Sequence, residues 1–99
     1  MVPDISTPAL NAVYGQWTYH WWGYDRKFTN TQAKELAGQC ELIAIGAGAA
    51  SAIFPPIAAL GGLSAAYYAL LANRINANNQ GNGVYVAITW AAVFNIEPL

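Results

Sequence analysis

The chain has 99 residues, of which 56% are hydrophobic and only 9% are charged, against about 25% charged in a typical globular domain. With four basic residues and a net charge of -1, it lacks the basic patch that nucleic-acid binding requires, so no nucleic acid is expected as a partner. The length is that of a single domain over residues 1–99. Cys40, the only cysteine, can form no internal disulfide or thiolate metal site, and we predict that it is a small buried hydrophobe.

Residues 1–13 contain Pro3 and Pro8 and are predicted to form an irregular arm. The arm has no positively charged stretch followed by an apolar run, which a classical signal peptide would have. The residues alone therefore leave three cases open: a mature chain, export by a dedicated transporter, or retention inside the cell.

Residues 14–28 are rich in aromatic side chains and are predicted to form a β-hairpin, with its turn at Gly23 or in residues 24–26. Side chains of a strand alternate between its two faces. This alternation puts Trp17, Tyr19 and Trp21 on one face, and Thr18, His20 and Trp22 on the other.

A helix-start signal follows the hairpin. Thr29 with Gln32 three residues later forms a capping box, in which each side chain accepts a hydrogen bond from a free backbone N–H of the first turn. Helix one is predicted over residues 30–54. Pro55 and Pro56 end it and form a corner, and helix two is predicted over residues 56–78.

The predicted helical hairpin contains 32 consecutive residues, 42–73, without a charged side chain. Small residues recur at every fourth position and are predicted to form the helix–helix contact: Ala44, Gly48 and Ala52 in helix one, and Gly61, Ala65 and Ala69 in helix two. Such spacing is typical of helices packed in a membrane, and also of a tight hairpin covered by a sheet. Length favours the covered hairpin in the resting protein, because its apolar halves of 13 and 16 residues are shorter than the roughly 20 residues that a bilayer span needs.

The last segment, residues 83–96, is rich in β-branched and aromatic residues and is predicted to be one strand. Val84, Val86 and Ile88 would share one face of it, with Tyr85 and Ala87 on the other. We expect this strand to pair with the first hairpin. The fold class is then α+β, with an antiparallel helical hairpin packed on a small antiparallel sheet in the order β-β-α-α-β.

The sequence offers no catalytic, cofactor-binding or metal site, and we predict that the protein is not an enzyme. Gly46 and Gly48 imitate a dinucleotide fingerprint, but no acidic residue lies about 20 positions later. His20 is the only histidine, and we predict a sheet residue with a single hydrogen-bond partner. The carboxylates are scattered along the chain, so neither a metal ion nor a small-molecule cofactor is expected.

Aromatic side chains with a polar tip favour protein interfaces and the headgroup level of membranes. Half of the aromatic cluster is expected to cover the helical hairpin, and the other half to be exposed. The predicted membrane or partner contacts are Trp17, Trp21, Trp22, Tyr24 and Trp90.

Three stretches, HWWGYDRKF, TNTQAKELAGQ and GNGVYVAITW, together with the proline-broken Ala/Gly-rich hairpin, give the chain a pattern over about residues 17–92. The pattern resembles small bacteriocin-like proteins of actinobacteria and other Gram-positive bacteria. The resemblance implies a membrane-active or pore-forming antibacterial protein, secreted or membrane-associated, whose apolar hairpin inserts into the target membrane. Its implied partners are a lipid membrane and further copies of itself. The alternative is a non-enzymatic structural or interaction module that self-assembles through its exposed aromatics.

Overall fold

A computed structural model of the chain describes residues 12–48, Phe54 and residues 63–99. Within these residues, two helices pack on one face of a four-stranded antiparallel sheet, which confirms the predicted α+β class. The elements in chain order are β1 (Thr18–Tyr19), β2 (Gly23–Phe28), α1 (Asn30–Ala44), α2 (Ala65–Asn78), β3 (Val84–Thr89) and β4 (Phe94–Pro98). The strands lie in the sheet in the same order, β1-β2-β3-β4.

The sheet is buried on both faces around β3. Val84, Val86 and Ile88 face the helices, as predicted, and join their core. Tyr85 and Ala87 alternate with them and pack on the outer face against Trp22 and Ala12. A strand with both faces covered reads as an apolar run without polar interruptions, which is the pattern of this segment.

The start of α1 confirms the predicted capping box. The backbone N–H of Gln32 donates to the Thr29 hydroxyl at 3.2 Å, and the backbone N–H of Thr29 donates to the Gln32 side chain at 3.1 Å. The helix ends at Ala44, however, and the predicted extent to residue 54 is wrong. Gly46 (φ +82°) adopts the left-handed conformation that closes a helix, because a glycine has no Cβ to clash there.

The start of α2 also differs from the prediction. Ser64 caps the helix by accepting a hydrogen bond from the backbone N–H of Tyr67 at 3.2 Å, and the first helical residue is Ala65 instead of Pro56. A serine at the N-cap stabilises a helix start by about 1 kcal/mol, and its signal in the sequence was hidden inside a long apolar run. Pro55 and Pro56 lie outside the described residues.

The two helices do not pack through the predicted small-residue stripe. Ala65, Ala69 and Gly48 are exposed, and only Ala44 is partly buried. Ala52 and Gly61 lie outside the described residues. The buried contact combines small and large side chains: Ala33, Leu36, Ala37 and Cys40 of α1, and Tyr68, Leu71, Ala72 and Ile75 of α2. Each set follows the spacing of one helical face, and the leucine and isoleucine side chains bury more apolar area than alanine can.

The predicted last strand is two strands joined by a turn. Its residues 90–93 fold back so that the backbone N–H of Thr89 donates to the carbonyl of Val93 at 2.9 Å, and β4 pairs with β3. Ala92 has φ +67°, a conformation usually taken by glycine or asparagine. Because this turn has neither residue, the pattern of the sequence did not mark it.

Candidate functional site at the apolar end

The turn between β1 and β2 presents two tryptophans in opposite ways. His20 and Gly23 exchange backbone hydrogen bonds, so Trp21 and Trp22 form a two-residue loop. The Trp22 ring folds onto the outer face and stacks on the His20 ring, with centroids 4.9 Å apart. Trp21 points away from the protein and is 83% exposed.

The turn between β3 and β4 lies directly beside this loop. The Trp90 indole N–H donates to the backbone carbonyls of His20 (3.2 Å) and Trp21 (3.1 Å). The backbone N–H of Trp90 donates to the carbonyl of Trp22 at 3.1 Å. Three hydrogen bonds from one residue therefore join the two sheet turns into a single surface.

Two helix ends lie at the same end of the molecule. The Tyr67 hydroxyl, in the first turn of α2, donates to the carbonyl of Ala92 at 2.7 Å. At the other end of the sheet, the Asn79 amide after α2 donates to the Asn30 side chain at the start of α1, at 2.8 Å. The helices are antiparallel and nearly equal in length, so the end of α1 lies near the start of α2 and beside the sheet turns.

We call this surface the apolar end. Its exposed large apolar side chains come from three separate stretches of the chain, the β1–β2 loop, the end of α1 and the β3–β4 turn: Trp21, Leu42, Ile45, Trp90 and Val93. The Ile45 residue is 76% exposed. A set of this size on one end of a small monomer is typical of an interaction site and exceeds the scattered apolar residues of an ordinary surface.

Charged side chains are distributed toward the opposite end. Residues 12–24, 42–48, 63–73 and 75–96 contain no Asp, Glu, Lys or Arg. Lys27, Lys34 and Glu97 belong to the half of each element that lies away from the two turns. Glu41, in the last turn of α1, is the charged residue closest along the chain to Ile45. In the described part of the molecule the charged residues thus lie mostly toward one end, although Glu41 lies next to Leu42 at the other.

A polar cluster on the outer face fixes the base of the Trp21 loop. Asp25 is fully buried, and it pairs with His20 Nε2 at 2.8 Å and accepts a hydrogen bond from the Tyr85 hydroxyl at 2.8 Å. Burial, and then the hydrogen bond to Asp25, raise the pKa of Tyr85. His20 has the side-chain hydrogen-bond partner that the sequence predicted, but it lies in the loop after β1 and not in a strand, as was expected.

The pair of Asp25 and His20 is two-thirds of a hydrolytic triad, but the third member is missing from the described residues. No serine or threonine hydroxyl there is hydrogen-bonded to His20, and no three metal-ligating side chains come together in the same part of the chain. The cluster anchors the loop that carries Trp21, because His20 is the residue just before it.

Cys40 lies on the buried face of α1 and belongs to the core, as predicted. Burial, with a smaller contribution from Glu41, raises the pKa of its thiol to about 12. A thiol with so little thiolate at neutral pH is a poor nucleophile.

The five predicted contact aromatics divide between the surface and the core. Trp21 and Trp90 belong to the apolar end. Trp22 lies in the outer-face core, and Tyr24 and the partly buried Trp17 lie on the helix side of the sheet. Leu42, Ile45 and Val93 were missed, and the available signal for Ile45 and Val93 was that no charged residue lies within three positions of either.

None of the helices in the described residues is long and apolar enough to cross a membrane. No known protein family, curated protein or solved structure matches this chain.

Proposed function

We propose that this protein is a small membrane-active protein that attaches to lipid bilayers through its apolar end. The observation that carries the proposal is the convergence of exposed Trp21, Ile45 and Val93 at one end of the described molecule, with the charged residues placed toward the other. The bacteriocin-like pattern of the sequence supports the same function.

The chemistry of the apolar end suits the boundary between lipid headgroups and acyl chains. Indole rings are enriched at this level because they combine a large apolar surface with a polar N–H. Three segments project apolar side chains there, and no lysine or arginine accompanies them. Attachment would therefore depend on apolar area, and would occur on zwitterionic as well as anionic lipid.

The charge-free stretch of residues 42–73 includes the end of α1 and the start of α2, which both lie beside this surface. Leu42 and Ile45 lie at the end of α1, and Tyr67 in the first turn of α2 is tied to the turn after Trp90. Attachment through the apolar end would thus bring the most apolar part of the chain to the lipid, and we propose that this segment perturbs the bilayer after attachment.

The first test is binding to phosphatidylcholine vesicles, measured by co-sedimentation. We expect Trp21→Ala to weaken binding about tenfold or more, because burying a large apolar side chain contributes roughly 1.5–3 kcal/mol. Tyr14→Ala is the matched control, since Tyr14 is a 51% exposed aromatic that pairs with Lys27 near the other end of β2. Equal loss in both variants, or no binding by the unmodified chain, contradicts the proposal.

The second test is release of a trapped dye from the same vesicles at micromolar protein. We expect release that Trp21→Ala reduces and Tyr14→Ala leaves unchanged. Vesicles that bind protein but stay intact across lipid types would limit the function to attachment. A Trp21-dependent oligomer that ignores lipid, detected by light scattering, would replace the proposal with the self-assembling module.

A further inference from the structure

Arg26 is a cation on the helix-facing side of the sheet, where its neighbours are apolar. In β2 the side chains alternate, so Arg26 lies on the same face as Tyr24 and Phe28, while Asp25 and Lys27 lie on the other. The nearest carboxylate along the chain, Asp25, is therefore turned away from it. That carboxylate is already paired with His20 and Tyr85.

The guanidinium of Arg26 lies against two aromatic rings. Its central carbon is 4.4 Å from the centroid of the Phe28 ring and 6.0 Å from that of Trp17. These distances are within the range of cation–π contacts, which hold the guanidinium in place without using its N–H groups. The Arg26 residue as a whole is only partly buried.

The hydrogen-bonding capacity of this side chain is unused. Its Nε is buried and has no hydrogen-bond partner, and no carboxylate of the described residues lies within ion-pair distance of it. Burial lowers the pKa of Arg26, although an arginine keeps its charge at physiological pH. A partly desolvated cation without a counter-ion is unfavourable, and a bound anion would remove both penalties at once.

We propose that Arg26 is an anion site that binds a phosphate group, held by the guanidinium beside Trp17 and Phe28. The planar fork of donors on a guanidinium matches the oxygens of phosphate and can form two parallel hydrogen bonds with them. The buried Nε supplies a donor that no other described group satisfies.

The phosphate can come from a lipid headgroup or from a free solute, and the lipid source rests on the proposed function. Arg26 is three residues from Gly23 at the Trp21 loop, about 10 Å along the strand. Interfacial segments bury their apolar side chains about 5–10 Å deep. Attachment through Trp21 would therefore bring Arg26 to the level of the headgroups.

The direct test follows the Nε–H signal of Arg26 by NMR during titration of the whole chain with inorganic phosphate. Ionic strength is held constant with sodium chloride, and sodium acetate is titrated in parallel. We expect a saturable shift of this signal that is largest for phosphate. A shift that does not saturate, or that chloride or acetate matches, overturns the phosphate assignment without any variant being needed.

Variants then test the residue. We expect Arg26→Gln to weaken phosphate binding about tenfold or more, since hydrogen bonds to charged groups are the strong ones. Arg74→Gln is the matched control, because Arg74 is exposed on α2 and has no aromatic contact among the described residues. A folded Arg26→Gln variant, verified by circular dichroism, that binds phosphate as before overturns the proposal.

Vesicles distinguish the two sources. We expect Arg26→Gln to reduce binding to phosphatidylcholine vesicles, while binding to vesicles of an uncharged, phosphate-free galactolipid stays unchanged. Trp21→Ala should reduce both. If Arg26→Gln binds both kinds of vesicle as well as the unmodified chain does, a lipid headgroup is not the source of the phosphate. Phosphate binding without any vesicle binding retains the Arg26 site and removes the proposed function.

Discussion

The indole N–H of Trp90 lies 3.1 Å from the backbone carbonyl of Trp21, so the end of β3 holds the loop that joins β1 and β2. The same N–H is shared with the carbonyl of His20 at 3.2 Å. The two aromatic residues are 69 positions apart in the chain. Trp90 fixes the backbone that presents the Trp21 ring, and this pairing makes the apolar end a defined surface.

Trp90→Phe should separate the hydrogen bond from the aromatic area. The change keeps most of the ring surface and removes the donor, so we expect the free energy of unfolding to fall by about 1 kcal/mol. Urea denaturation measures it. Trp21→Phe is the control and should change stability by less than about 0.5 kcal/mol, because the Trp21 ring is exposed and its N–H has no partner in the described residues. A larger loss for Trp21→Phe would contradict the assignment.

The buried carboxylate of Asp25 should be coupled energetically to Tyr85. Asp25→Ala leaves the Tyr85 hydroxyl buried without its acceptor, and we expect a loss of about 2 kcal/mol or more. Tyr85→Phe removes the donor instead. In the double variant neither the Tyr85 hydroxyl nor the Asp25 carboxylate is left without the other, and only the partly exposed His20 loses its partner. Its loss should therefore be smaller than the sum of the two single losses. Additive losses in urea denaturation would show that the two side chains act independently.

Alkaline pH should destabilise the fold through its buried acids. Burial raises the pKa of Cys40 from 9.0 to about 12, and that of Tyr67 from 10.0 to about 12. Between the unfolded and the folded pKa of each group, that group ionises in the unfolded chain but keeps its proton in the folded chain. The stability contributed by each neutral group is therefore complete below the unfolded pKa and is lost as pH rises toward 12.

Cys40→Ala should make this decline shallower between pH 9 and 12, as measured by thermal unfolding at each pH. In the unmodified chain, a thiol reagent at pH 8 should react with Cys40 only after urea unfolds the protein, because the folded thiol is buried. Rapid reaction in the folded state would contradict the buried role.

Gly83 should tolerate alanine worse than Gly15 does. Both have positive φ, +95° and +87°, so alanine at either position carries a conformational cost of about 1 kcal/mol. At Gly83 the added Cβ would also lie 1.9 Å from the backbone carbonyl oxygen of Phe28, whereas nothing lies within 4 Å at Gly15. We expect the loss for Gly83→Ala to exceed that for Gly15→Ala by more than 1 kcal/mol. Equal urea denaturation midpoints for Gly83→Ala and Gly15→Ala would contradict this expectation.

Local chemistry made two features of the fold predictable. The capping box at Thr29 and the alternation of Val84, Val86 and Ile88 depend on residues within a few positions of each other, and both were confirmed. Helix ends were not predictable to the same degree. Gly46 and Ser64 compete with a long apolar run that favours helix on composition alone, and their capping roles became clear only in the three-dimensional structure.

The sequence by itself determined the α+β class, the buried role of Cys40 and the faces of β3, because side-chain period and hydrophobicity act over short distances. Only the tertiary structure decided which aromatics are exposed, that Asp25 pairs with Tyr85, and that Arg26 has no counter-ion among the described residues. These are relationships between residues far apart in the chain. They follow from strand pairing and helix packing, which bring distant side chains together, and no local pattern encodes them.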